Sequence, residues 1–123
     1  MVAQDSAVAK VPHAEGTVRA IMSRPDGMYS SWDEKEVAKF GDASAVALTK
    51  VLGDRDPSPN EVRLCLVIIE ASFWYPKGVL NESDRKPQTA LFVLKRLESL
   101  QLSSDLKEEI VQTRERILSA SGQ

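Results

Sequence analysis

One cysteine and one histidine are all that the 123 residues supply of the side chains that most often hold metals or form nucleophile–base pairs. The lone Cys65 excludes an intrachain disulfide framework and a multi-cysteine zinc site. Set between Leu64 and Leu66, it reads as a core thiol, inert because burial opposes the thiolate. His13 lies in a patternless N-terminal segment, which removes most Ser–His and Cys–His arrangements and histidine metal clusters. No cofactor and no metal ligand set is read. An excess of one charge is also lacking: 16 basic against 18 acidic residues leave −2, no general attraction to nucleic acid or anionic lipid. Long apolar runs are missing, because the longest, Leu64 to Ile69, falls far short of the roughly 18 residues of a membrane span. Glycine-rich phosphate loops are absent. Met1 to Lys10 carries Asp5 without a basic start or an apolar run, so no secretory signal is read, and a soluble, cytoplasmic protein without a membrane partner is expected.

What remains is ordinary for a globular chain, 42% hydrophobic and 28% charged, and long enough for one domain with a core that needs no staples. Its organising stretch runs from Asp56 to Tyr75. Ser58 and Glu61 form a capping box, with Pro59 at the first helical position where its missing N–H costs nothing. Val62, Leu64, Cys65, Leu66, Val67, Ile68, Ile69, Ala71 and Phe73 then cover most of the circumference, so this helix must be buried on several sides. No window alternates at period two, and the expected class is all-α with about five main helices.

Residues 1–16 show little periodicity and read as a flexible tail ahead of a domain at 17–120. Thr17 to Ser23 has cap and apolar spacing for one or two helical turns before the Arg-Pro-Asp-Gly turn at 24–27. A short helix follows from a cap at Ser31, with Glu34 three residues on, to Phe40. Gly41 ends it, and Asp42 is placed to cap the next, which stops at Gly53. Past the central helix, Pro76 and a loop lead to a helix starting around 84–87 with Ala90, Leu91, Val93, Leu94, Leu97 and Leu100 inward. Phe92 falls in its solvent stripe, so either it is exposed or another segment covers it. The last helix begins at Ser104 or Asp105 and turns Leu106, Ile110, Val111, Ile117 and Leu118 inward.

A shift of 44 residues lays Val62 on Leu106, Leu66 on Ile110 and Val67 on Val111, and a shift of 46 lays Ala47 on Val93 and Val51 on Leu97. Recurrence of helical pairs at this spacing marks a solenoid. The stretch from Lys39-Phe40-Gly41-Asp42-Ala43 through Gly53-Asp54-Arg55-Asp56-Pro57 to Glu61-Val62-Arg63 resembles the short bacterial type of HEAT repeat. It departs from that pattern by inserting Ser58, Pro59 and Asn60 and by the long loop at 76–86, and the unit at 87–120 lacks the Asp-Pro and Val-Arg signature. The resemblance implies HEAT-like helix-turn-helix repeats in a single right-handed α-α stack. It gives structural roles to Asp54, Asp56 and Arg63, the aspartates as turn caps and the arginine pairing with neighbouring turns.

In such repeats the second helices line a concave face that commonly holds a partner. The stripe Asn60, Arg63, Val67, Glu70, Trp74 and its counterpart Lys107, Val111, Arg114, Leu118 would lie side by side there. Mixed charge with an aromatic suits a protein or peptide contact better than a phosphate backbone. The competing reading is that residues 1–30 cover this stripe. Tyr75, Lys77, Arg85 and Lys86, an aromatic turn with nearby cations, form a secondary candidate site. The expected function is a non-catalytic protein-interaction or adaptor module. The alternatives are a helical nucleic-acid-binding module using Arg85, Lys86, Lys95 and Arg96, and an enzyme subunit of the HEAT-like lyase or glycosylase kind.

Overall fold

A computed structural model describes residues 2–24, 28–74 and 87–120, with side chains over 11–24, 28–72 and 88–119. Among the described residues there are six helices and no strand: α1 (Val2–Met22), α2 (Ser31–Phe40), α3 (Asp42–Leu52), α4 (Pro59–Trp74), α5 (Pro87–Glu98) and α6 (Ser104–Ala120). The all-α expectation holds, with one helix more than foreseen.

That extra length lies in α1, which occupies residues read from sequence as a tail. Pro12 sits inside the helix, and Gly16 follows one turn later, two residues that disfavour helix interiors. Burial overrides them. Val11, Ala14, Val18, Ile21 and Met22 recur at helical spacing and are all buried, most of them where α1 lies along α3.

The helix starts show the same competition between local signal and tertiary partner. At α4 the capping box forms as expected: the Glu61 backbone N–H donates to Ser58 Oγ at 3.3 Å and the Ser58 N–H donates to Glu61 Oε1 at 2.9 Å. Arg55 clamps the same carboxylate through both Nη atoms, at 2.9 and 2.7 Å. Its guanidinium is the main reason why Glu61 is held down at about 2, with the Ser58 N–H adding to it. At α2 the cap is Ser30, not Ser31, with Asp33 rather than Glu34 closing the box. Two serines in tandem each have an acid three residues on, and Arg24 decides between them by pairing with Asp33, 2.9 Å from Nη2 to Oδ1. Burial alone would raise the Asp33 carboxyl, but the hydrogen bonds from Arg24 and Ser30 outweigh it and hold the group below its ordinary value. Helix α6 starts at Ser104, the earlier of the two expected positions, and its cap is Ser103, whose hydroxyl accepts from the Leu106 N–H at 3.3 Å. Asp42 is the first residue of α3 and not its cap. Gly41 fills that position at φ 59°, a conformation that favours glycine, and also ends α2 by donating to the Ala38 carbonyl. Ser44 Oγ then donates to the Val37 carbonyl at 2.8 Å, fixing α3 against α2 across this one-residue joint.

Helices α1, α3 and α5 pack side by side in one layer, and α2, α4 and α6 in a second. The layers meet through the successive pairs α1 with α2, α3 with α4 and α5 with α6. Arg96 Nη2 donates to the Arg55 carbonyl at 2.8 Å, so α3 and α5 end on the same side of the domain. The core runs between the layers. Leu48, Leu52, Leu64, Ile68, Ile69, Leu94, Leu97, Ile110 and Ile117 are its largest fully buried members from α3 to α6. Cys65 belongs to it, and burial pushes its thiol up to about 12. No helix among the described residues is long and apolar enough to cross a membrane.

Candidate functional site

Two neighbours in the second layer leave a groove between them. Helix α4 turns Val62, Leu64, Cys65, Ile68 and Ile69 into the core, which carries Arg63, Val67 and Glu70 round to the opposite side. Helix α6 buries Leu106, Ile110, Thr113 and Ile117 and presents Glu109 and Arg116 beside that line. The groove is about 210 Å³ and is lined by Arg63, Leu66, Val67 and Glu70 from α4, Glu109, Thr113 and Arg116 from α6, and Tyr29 from the segment before α2.

The electrostatics of the groove differ along its length. Toward the end of α4, Arg116 Nη2 pairs with Glu70 Oε1 at 2.8 Å and also reaches Thr113 Oγ1 at 3.4 Å, closing α4 onto α6. Burial pushes the Glu70 carboxyl up; Arg116 opposes that rise, and the negative charges of Glu34 and Glu109 reinforce it. Arg19, Arg24, Arg55, Arg114 and Arg116 each reach a carboxylate, and Arg96 reaches a backbone carbonyl. Arg63 alone among the described arginines has neither, although the resemblance implied that it would pair with a neighbouring turn. Arg55 and Arg96 perform that bridging instead.

Of the residues foreseen from sequence, Arg63, Val67 and Glu70 line the groove. Asn60 is exposed in the first turn of α4 and does not line it. Lys107 is exposed on α6 outside the groove, and Arg114 is directed to Glu98 of α5, so the α6 stripe was placed one register away from the side that faces α4. The side chain of Trp74, and Tyr75, Lys77, Arg85 and Lys86 altogether, lie outside the described residues. Of the cations foreseen for nucleic acid, Lys95 is exposed on α5 while Arg96 is engaged with Arg55.

Tyr29, Glu109, Thr113 and Arg116 were missed. The signal for the α6 members was present: the 46-residue shift that relates α3 to α5, applied to α4, lays Arg63 on Glu109 and Glu70 on Arg116. Tyr29 carried no such signal. It is 46% exposed at the groove, and its sequence neighbours Met28, at 63%, and Trp32, at 65%, are the other large apolar side chains exposed on this segment. Among the described residues before α2 only Tyr29 lines the groove, and α1 packs chiefly on α3.

A second depression, lined by Arg19, Met22, Ser23, Val51 and Arg55, lies beside the ends of α1 and α3. Both its guanidiniums are already held, Arg19 by Glu15 and Arg55 by Glu61. Among the described residues no group of three or more His, Cys, Asp or Glu side chains is placed to hold a metal ion. No protein-family model, curated protein or solved structure matches the chain.

Proposed function

We propose that this protein is a non-catalytic interaction module that docks a segment of another protein in the groove between α4 and α6. The observation that carries the reading is the open line Arg63, Val67 and Glu70 on a helix whose other sides are core. A half-buried aliphatic, Val67, between two ionic groups, with the Tyr29 ring beside it, matches the composition of protein interfaces, where aromatics and arginine are enriched. Catalysis has less support. Burial raises the Glu70 carboxyl but Arg116 holds it in an ion pair, and among the described residues no histidine, cysteine or serine lines the site.

A HEAT-like arrangement is supported by the packing of first helices on first helices and second on second, with each helix pair meeting its neighbour. It places the groove between consecutive second helices. A nucleic-acid module is disfavoured because the groove mixes charges and Arg96 is engaged within the fold.

The test is affinity capture from native extract with the unmodified protein and with Val67→Glu, which puts a charge on the apolar part of the groove. Loss of specific partners from the variant, with its melting midpoint unchanged, is the expected result. Retention of the same partners would overturn the reading.

A further inference from the structure

We infer that the start of α2 is a two-register device: Arg24, by gripping Asp33, holds the helix on its Ser30 cap and keeps the Tyr29 ring in the wall of the groove. Without that grip the cap passes to Ser31 and the ring leaves the wall. In its bearing on docking the inference rests on the function proposed above; the two registers stand on sequence and geometry.

The chain carries two overlapping capping boxes, Ser30 with Asp33 and Ser31 with Glu34. By local chemistry the second is the usual one, because the box favours glutamate or glutamine three residues after the cap. The structure uses the first. The Ser30 N–H donates to Asp33 Oδ2 at 2.8 Å, the Ser30 hydroxyl donates to the same oxygen at 3.1 Å, and the Asp33 N–H donates back to Ser30 Oγ at 3.3 Å. The side chains of Ser31 and Glu34 make no hydrogen bond among the described residues, so the second box stands unused. Arg24 tips the choice. Both its Nη atoms reach the Asp33 carboxylate, and Nη1 also donates to the Met28 carbonyl at 3.3 Å. Asp33 is 2% exposed, so removing the guanidinium would leave a buried charge without its counterion and return the choice of cap to local preference.

Tyr29 lies between two pinned residues. Met28 is held through its carbonyl and Ser30 through its N–H and hydroxyl, which fixes the backbone from which the ring reaches the groove. Ser30 is extended, at φ −126° and ψ 168°, and Ser31 is the first helical residue. Passing the cap to Ser31 would turn its ψ from about −40° to an extended value. The chain ahead of it, Tyr29 included, would swing with that rotation.

The test follows the methyl resonances of Leu66 and Val67, which share the groove with the Tyr29 ring and are displaced by its ring current. Tyr29→Leu in the full chain sets the values without the ring. Arg24→Gln should move both residues at least halfway to those values, and adding Ser31→Ala, which disables the second cap, should bring them back toward the parent. Arg24→Lys, which keeps the charge but not the fork, serves if Arg24→Gln does not fold, with the same two results expected. Parent-like shifts in the Arg24 variant, or shifts that Ser31→Ala does not restore, would overturn the inference, the second because the ring would then be released by general loosening. Unchanged methyls in Tyr29→Leu would overturn it too. If the shifts follow this pattern while capture of partners ignores Val67→Glu, the two registers stand and the docking reading falls. If capture depends on Val67 while Arg24→Gln leaves the methyls unmoved, docking stands and the device does not.

Discussion

Along α4, one face is sealed and the other is open, and the two are built from residues that alternate within a single helical turn. Val62, Leu64, Cys65, Ile68 and Ile69 are fully buried, while Arg63, Val67 and Glu70 reach solvent in the groove. The sealed face is held by packing against both layers; the open face is crossed by the ion pair from Glu70 to Arg116. Stability and the proposed recognition would therefore be carried by different side chains of one element, and substitutions on the two faces should have opposite signatures.

The largest expected effect is on the sealed face. Ile68→Ala should destabilise by about 2–5 kcal/mol, because a fully buried position leaves a cavity, and denaturant unfolding measures it. A cost near zero would mean that α4 is not the centre of the core. A smaller effect separates the two glutamates of the helix. The folded-state pKa of Glu61 is depressed to about 2 from 4.5, so its contribution is complete above 4.5 and is lost as the pH falls toward 2. That of Glu70 is raised, so its contribution has the opposite sign: stability falls as the pH rises above the ordinary carboxylate value. Thermal melting across this range should show the acid loss diminished in Glu61→Gln and the decline on the higher-pH side flattened in Glu70→Gln. Interchanged or identical profiles would contradict the assigned environments.

Next in size, Ser58→Ala should cost about 1 kcal/mol through the lost cap, read from the shift in melting midpoint. An unchanged midpoint would show that Arg55 and Glu61 fix the start of α4 without the serine. The smallest stability effect belongs to the open face: Arg63→Ala, at an exposed position, should stay within about 0.5 kcal/mol of the parent, as surface substitutions usually do, yet weaken capture of partners. A large loss of stability there would erase the contrast between the faces.

How much of this was legible from sequence follows the same division. The start of α4 was readable because Ser58, Pro59 and Glu61 are local signals that the tertiary structure leaves in place. The solvent stripe containing Phe92 was readable from helical period, and that ring is 62% exposed. Helix α1 was obscured because Pro12 and Gly16 contradict helix locally, while the face from Val11 to Met22 that overrides them acts only in the folded chain, chiefly against α3 and also against α2 and α4. The α2 cap was displaced by one residue because Arg24, nine positions away from Asp33, selects the box. In the groove, the α4 side followed from its own periodicity, but the α6 side depends on which register faces a helix more than thirty residues distant in sequence. Tyr29 stands outside any helix, so no period pointed to it.

The docking role of the open face is tested most directly by placing a photo-crosslinking amino acid at position 67 and, separately, at position 92, which is also exposed but lies on α5 away from the groove residues. In native extract, position 67 should yield a discrete adduct with a partner protein, and position 92 should yield none. Equal adducts from both positions, or none from position 67, would contradict the assignment of the α4 groove as the docking site.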